Sequence, residues 1–345
     1  MLVHALRVLI DGRPLVGNRT GIGVHTAEIA RRLGVDPPPL IAAHAPIEDR
    51  TGIERCQFRV DRYPFGLLWQ QLAMPRIEAD VVWGPHGTLP LTSRRPAVVS
   101  LHDFTSITMP GRHLLRTILS FNLFIGRSLE LADRIAAVSR AVADEAVRGF
   151  GVPPGKIEIV PNGVDEFFSP GDEGRQEGDY ALSVGTLEPR KGVDDLISVW
   201  QSLPPSRPRL ILCGDPGWKT RYRSIEGVEV TGFVSRERLR DLYRSAKIFI
   251  YPSRYEGFGI PPLEAMACGA PVIATRTGAI ADYAEGAALL VDPASPSQLR
   301  EAIIRLLGDR ALRESLRGLG AARALGYRWD ESARRMTELL AGAAR

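Results

Sequence analysis

The chain has 345 residues, with 44 Lys and Arg against 40 Asp and Glu, a net charge of +4 and 44% apolar residues, enough for two domains that each bury a core. This mild basicity leaves nucleic acid, acidic membrane and anionic ligands open as partners, but no zinc-finger, RNA-recognition or basic-zipper pattern occurs, which ranks nucleic acid last. Three scattered cysteines, Cys56, Cys213 and Cys268, argue against a disulfide framework or zinc site, and no apolar stretch approaches the roughly 18 residues of a membrane span. The expectation is a cytoplasmic protein, with at most peripheral contact at the inner face of a membrane.

Short apolar runs alternate with helical patterns through the first half. MLVHALRVLIDG (1–12) has too short an apolar run for a signal peptide, and ALRVLIDG within it reads as a first strand. GIGVHTAEIARRLG (21–34) reads as a glycine loop entering a helix. A dinucleotide fingerprint fails there because Thr26 stands where the third glycine would fall. What remains is a flexible loop whose amides at Gly21 and Gly23 approach a phosphate or a reacting sugar, or a turn that needs positive φ. ADVVWGP, AVVSLHDF and RIAAVS look like buried strands and RAVADEAVRGFG like a helix, which implies a parallel sheet covered on both faces. His102 ends one of these strands; a lone histidine is more often a satisfied core residue. His25 and His86 stay open between the core and an acceptor-facing surface. Arg112 to Leu129 mixes basic and apolar residues at helical spacing, as a helix on an anionic membrane does, or one with a core face and a solvated face.

KIEIVPNGVDEFFSP closes the first half, and the polar run Ser169 to Tyr180 carries a linker, placed at 169–175. The second half restarts the same alternation with YALSVGT, RLILCG, EVTGFV, KIFIYPS, PVIATRTGAI and ALLVDP as strands between helical patterns. In VGTLEPRKGVDDL, Arg190 and Lys191 sit between a strand and a helix, where a forked guanidinium and a point charge can meet a diphosphate; the usual fate of such a pair is solvation.

The richest stretch is YEGFGIPPLEAMACGAPVIA, Tyr255 to Ala274, with Glu256 and Glu264 eight residues apart. Gly257, Gly259 and the Pro261–Pro262 pair exclude one continuous helix. Instead a strand leads to Glu256, and Gly257, Phe258, Gly259 and Ile260 turn. A short helix then opens at the prolines, carries Glu264 in its first turn and ends at Gly269. Unpaired amides at a helix opening favour anions, and the flanking carboxylates accept hydrogen bonds from hydroxyls. An anion seat between two hydroxyl clamps describes a sugar nucleotide.

With these pieces in place, the chain resembles the retaining glycosyltransferases of family 4, which have the two-domain GT-B architecture. The fold expected is α/β, two Rossmann-like parallel-sheet domains facing across a cleft. The N-terminal, acceptor-side domain would span 1–168 plus about 331–345, because YRWDESARRMTELL resembles the family's terminal helix that crosses back; the C-terminal, nucleotide-sugar-binding domain would span 176–330. The resemblance implies that Glu256 contacts donor-sugar hydroxyls, that Glu264 holds the ribose and that His102 reaches the sugar near its reacting centre. It places Phe233 and Val234 beside the base. Thr186 departs from the arginine that many relatives carry after the strand's glycine, and Arg190 is the candidate replacement. The VGTLEPRKG and YEGFGIPPLEAM pair resembles bacterial mannosyltransferases of surface polysaccharides. GDP-mannose is therefore the first expected donor, with UDP- and dTDP-hexoses open, and the acceptor is a glycan or lipid-linked hydroxyl. No cofactor is expected. No D-x-D triplet or Walker A sequence occurs, so no obligatory metal is expected either. A sugar phosphorylase would be larger; a non-catalytic sugar-nucleotide sensor is the rival from another class.

Overall fold

The structure is a computed structural model that describes residues 3–4, 6–17, 19–105, 124–171, 177–214, 222 and 225–345. The chain divides into two compact units, Met1–Gly163 with Trp329–Arg345, and Val164–Arg328.

In the first unit the elements run β1 (Val3–His4), β2 (Val8–Asp11), α1 (Gly21–Ala30), β3 (Val35–Asp36), β4 (Leu40–Ala43), β5 (Gln57–Val60), α2 (Gly66–Leu72), β6 (Val81–Gly84), β7 (Ala97–Leu101), α3 (124–131), β8 (Arg134–Ala137), α4 (Arg140–Phe150) and β9 (Ile157–Ile159). Among the described residues, β1 and β3 form a small ladder, while a sheet of seven parallel strands runs β5-β4-β2-β6-β7-β8-β9. Its central strands are buried at every position, as in VLID and AVVSL, which is why they read as continuous apolar runs rather than alternating ones. The edge strand QFRV is largely exposed, and nothing in its pattern announced it.

The second unit repeats the plan with β10 (Tyr180–Val184), α5 (Val193–Gln201), β11 (Arg209–Cys213), β12 (Val228–Gly232), α6 (Arg236–Ser245), β13 (Ile248–Tyr251), α7 (Ile260–Ala267), β14 (Val272–Thr275), α8 (Ile280–Tyr283), β15 (Leu289–Val291), α9 (Pro296–Gly308) and α10 (Arg310–Ala324). Its described strands are all parallel, in the order β12-β11-β10-β13-β14-β15. Leu196 and Trp200 of α5 pack with Leu210, Leu212 and Ile250 of the sheet and Ile303 and Leu306 of α9 to form its core.

Counted along each unit, the main sheets run 3-2-1-4-5-6-7 and 3-2-1-4-5-6, the doubly wound order with one further strand at the edge of the first. The strand order reverses between β2 and β6 and again between β10 and β13, and such open sheets bind ligands beyond the carboxyl ends of these strands. These are two Rossmann-like domains of the GT-B fold.

The final helix α11 (Trp329–Ala343) belongs to the first unit, where it packs along α1 and buries Trp329, Met336 and Leu340. The chain passes between units at Gly163–Val164, ahead of the segment expected to link them. Ser169 lies inside the second unit because Arg244 Nε donates to its carbonyl at 2.6 Å; residues 172–176 lie outside the described residues. Most of the amphipathic stretch Arg112 to Leu129 also lies outside them. Among the described residues no helix is long and apolar enough to cross a membrane.

Candidate active site

The carboxyl ends of β10 and β13 bring Arg190, Lys191 and Glu256 together. Lys191 Nζ donates to Glu256 Oε1 at 2.6 Å and to the Tyr251 hydroxyl at 2.8 Å. The Tyr251 hydroxyl donates its own proton to the same carboxylate oxygen at 3.0 Å, and Ser253 Oγ donates to it at 2.5 Å. Arg190 Nη1 stands 3.5 Å from it and donates to the Tyr255 carbonyl at 3.3 Å. All these donors converge on Oε1; among the described residues none reaches Oε2.

Several contacts fix this geometry. The Glu256 amide donates to Thr277 Oγ1 at 2.8 Å. Arg254 grips Asp195 of α5 through Nη2 at 2.7 and 3.0 Å and Nε at 3.2 Å, and its amide donates to the Arg190 carbonyl at 2.8 Å, locking the two loops together. Tyr251, Ser253, Arg254, Asp195 and Thr277 were missed in the sequence; the polar residues of IYPSRYEG, at the end of an apolar strand, were the available signal.

Glu256 is 8% exposed. Burial pulls its pKa up, but the charges of Lys191 and Arg190 outweigh that pull and hold it below the ordinary carboxylate value. Burial and the Glu256 charge push Tyr251 well above the phenol range, so its hydroxyl keeps the proton it donates. Because the folded pKa of Glu256 is depressed, its contribution to stability is complete above the unfolded-state pKa and is lost as pH falls through the folded one. Thermal unfolding followed against pH should therefore show an acid-side loss, below about pH 4, that a Glu256→Gln variant lacks.

The loop beyond Glu256 corrects one expectation, the place of Glu264. Phe258, whose amide is expected at a ligand, turns its side chain into the core against Tyr283 and Tyr327, with ring centroids 5.6 and 6.1 Å away. Only its backbone is available. α7 begins at Ile260, so Glu264 stands past the first turn, while Gly269, at φ +73° directly after the C-cap Cys268, ends the helix as expected. Tyr243 of α6 donates to Glu264 Oε2 at 3.0 Å. Gly259 has φ +82° and its carbonyl accepts from the Tyr283 hydroxyl at 2.6 Å. No acceptor among the described residues takes the amides of Gly257, Phe258, Gly259 or Ile260; for Gly259 and Ile260 the opening of the helix accounts for it. Thr186 lines a small hollow with Gly185, Lys191 and Tyr251. Val234 is half-buried at the end of β12, beside an exposed Phe233.

In the first unit, Gly21 and Gly23 do not form a loop ahead of α1; they are its first turn. A side chain at Gly23 would sit 2.6 Å from the Pro14 carbonyl, so this glycine serves close packing of helix on loop, whereas Gly21 opens to solvent. His102 Nε2 donates to the Pro85 carbonyl at 2.8 Å, which leaves Nδ1 as the acceptor nitrogen. His25 is fully buried, its ring edge-on to His102 at 4.6 Å and its Nδ1 2.7 Å from Asn162 Oδ1, which places it in the core. Burial pulls both histidines below their ordinary pKa, so both rings are neutral. His86 is exposed. A further polar cluster gave little sign of itself in the sequence. The buried carboxylate of Asp11, at the carboxyl end of β2, is held by Arg13 Nη2 at 2.7 Å and Gln70 Nε2 at 2.9 Å. The DGR triplet after the first strand was its only signal.

Among the described residues no group of three or more His, Cys, Asp or Glu side chains gathers closely enough to hold a metal ion.

The family model of the glycosyl transferases group 1 matches residues 165–321, and that of glycosyltransferase family 4 matches residues 19–166. The chain is 28% identical to the O-antigen chain mannosyltransferase B of Escherichia coli, across 94% of this chain and 97% of that protein. It is 32% identical to a D-inositol 3-phosphate glycosyltransferase of Acidothermus cellulolyticus, but across 58% of this chain and about half (51%) of that protein's length. Among solved structures it is similar to Anabaena HepE in complex with UDP-glucose, with a TM-score of 0.79 and 21% identity over 98% of this chain and 100% of that one. It is also similar to WaaG, a glycosyltransferase involved in lipopolysaccharide biosynthesis, with a TM-score of 0.75 and 18% identity over 97% of this chain and 100% of that one.

Proposed function

We propose that this protein, which belongs to the family 4 glycosyltransferases, moves a hexose from a nucleoside diphosphate sugar to a glycan or lipid-linked hydroxyl with retention of anomeric configuration. The observation that carries this reading is the array at the ends of β10 and β13. Unpaired amides from Gly257 to Ile260 lie in the loop that begins at Glu256, whose carboxylate joins Lys191 and Arg190 through Oε1 and has no described donor at Oε2. In this proposal the diphosphate lies against those amides and the two cations, Oε2 of Glu256 accepts from a sugar hydroxyl, and Glu264 accepts from the ribose. Thr186 and Val234 border the donor. His102 offers Nδ1 to the sugar, and Gly21 lends its helix-opening amide.

The bond from the anomeric carbon to the diphosphate oxygen breaks, the acceptor oxygen bonds to that carbon on the same face, and the acceptor proton passes to the departing diphosphate. The cations and amides meet charge that develops on the leaving group, so they stabilise the transition state more than the bound donor. No step calls for a metal. GDP-mannose is the first donor to try, supported by the mannosyltransferase match along nearly the whole chain, and polysaccharide synthesis on the cytoplasmic side, at the membrane periphery, is the setting proposed.

Purified protein incubated with GDP-mannose, UDP-hexoses and dTDP-hexoses, with glycan and lipid-linked acceptors, is expected to release diphosphate from one of them. Glu256→Gln keeps an acceptor for Lys191 but weakens the grip on the sugar; loss of one charge-assisted hydrogen bond should lower transfer roughly 10- to 150-fold. Full activity of Glu256→Gln with every donor would refute the assignment, and binding without turnover would favour the sensor.

A further inference from the structure

We propose that the outer face of α2, with the turn before it, docks on an anionic membrane surface. Phe65, Leu68 and Leu72 are 61%, 44% and 48% exposed, whereas Gln70, on the opposite side of the helix, is fully buried, as is Trp69 at the edge of the exposed side. Leu68 and Leu72, four residues apart, fall on one side of the helix, and Phe65 stands in the turn just before it, which makes an apolar stripe. The stripe is rigidly mounted. Trp69 Nε1 donates to Asp61 Oδ2 at 3.0 Å, Gln71 Nε2 donates to the Leu89 carbonyl at 3.1 Å, and the Leu91 amide donates to Gln71 Oε1 at 2.8 Å.

Positive charge brackets the stripe. Arg62 precedes it and Arg76 follows it; Arg94 adjoins Arg95, whose Nη1 donates to the Pro75 carbonyl at 2.8 Å. Arg62, Arg76 and Arg94 are exposed and form no ion pair with a described residue. The acids of the same stretch are engaged: Asp61 by Arg59 at 3.1 Å and Glu78 by Arg7 at 3.4 Å. An apolar ridge edged by uncompensated arginines suits acyl chains beneath phosphate headgroups. A second copy of the chain meeting this face about a two-fold axis would bring arginine toward arginine. The assignment gives a place in the fold to the membrane contact of the proposed function, and it requires no step of sugar transfer.

The test is co-sedimentation with vesicles of equimolar phosphatidylglycerol and phosphatidylcholine, against vesicles of phosphatidylcholine alone. The wild type should bind the first and not the second, and added salt should weaken binding. Leu68→Glu and Arg62→Glu should each lower partitioning about tenfold, while Ile304→Glu, at an exposed apolar site in the second unit, should leave it unchanged. Thermal shifts on adding nucleoside diphosphates, read in every variant, report folding and the donor site separately, so failure of either reading is distinguishable. The proposal falls if the wild type ignores anionic vesicles at low salt, if Leu68→Glu binds as well as the wild type, or if sedimentation velocity shows a dimer that Leu68→Glu dissolves.

Discussion

Lys191→Ala is expected to lose about 3 kcal/mol of stability, at the low end of the 3–5 typical for a broken buried ion pair, and transfer should fall at least as far as in Glu256→Gln. The reason lies in what the substitution leaves behind. Glu256 keeps Tyr251 and Ser253 as donors and Arg190 at 3.5 Å, so its charge is not abandoned, but the cation at 2.6 Å is gone from an environment that water scarcely enters. For a unit of this size the melting temperature should drop roughly 6–12 °C. Loss of stability and loss of catalysis are separable here. The double variant Lys191→Met with Glu256→Gln removes both charges and should recover most of the stability while remaining inactive. If Lys191→Ala melts with the wild type, the buried pair is not what holds the loop. If the double variant transfers sugar at the wild-type rate, these two residues do not serve the donor.

The fold was legible because both sheets are parallel and buried, so VLIDG, AVVSL, YALSV and KIFIY stand out as apolar runs at regular intervals. Edge elements carry no such signal. QFRV is exposed, and the short helix GLLWQQL shows apolar residues to solvent and to the core alike, so neither yields a clean period. The site was legible where chemistry is concentrated in sequence, as in EPRKG and YEGFGIPPLE. It was misjudged where a residue's neighbour decides its role. The ring of Phe258, flanked by two glycines, belongs to the aromatic cluster of Tyr283 and Tyr327, which the loop pattern did not announce. Gly21 and Gly23 looked like a loop because glycine weakens helices. The Pro14 carbonyl, which excludes any side chain at Gly23, is invisible until the chain folds. The same holds for Lys191 and Glu256: each was expected at the donor, but their union on a single carboxylate oxygen depends on two strand ends meeting across the switch point.

That meeting is enforced from behind by Gly278, and Gly278→Ala is expected to abolish transfer and to cost about 4 kcal/mol or more. Gly278 has φ +52°, a conformation that costs an L-residue roughly 1–2 kcal/mol. The greater part of the cost is steric. A Cβ built there lies 1.9 Å from the Glu256 carbonyl oxygen and 2.8 Å from that of Gly257, so no rotamer relieves the clash and backbone must move. The Gly257 carbonyl also accepts from the Ala279 amide at 3.2 Å, so displacement carries the Glu256–Ile260 loop with it and takes the carboxylate away from Lys191. Gly286 supplies the comparison: it has φ +72° with nothing within 4 Å of an added Cβ, so Gly286→Ala meets the conformational cost alone, about 1 kcal/mol, and should keep its activity. Thermal unfolding and donor turnover of the two variants, measured side by side, separate strain from collision. Equal, mild losses in both would mean that the loop yields to the added methyl group, and that Glu256 is held by its hydrogen bonds rather than by the backbone packed behind it.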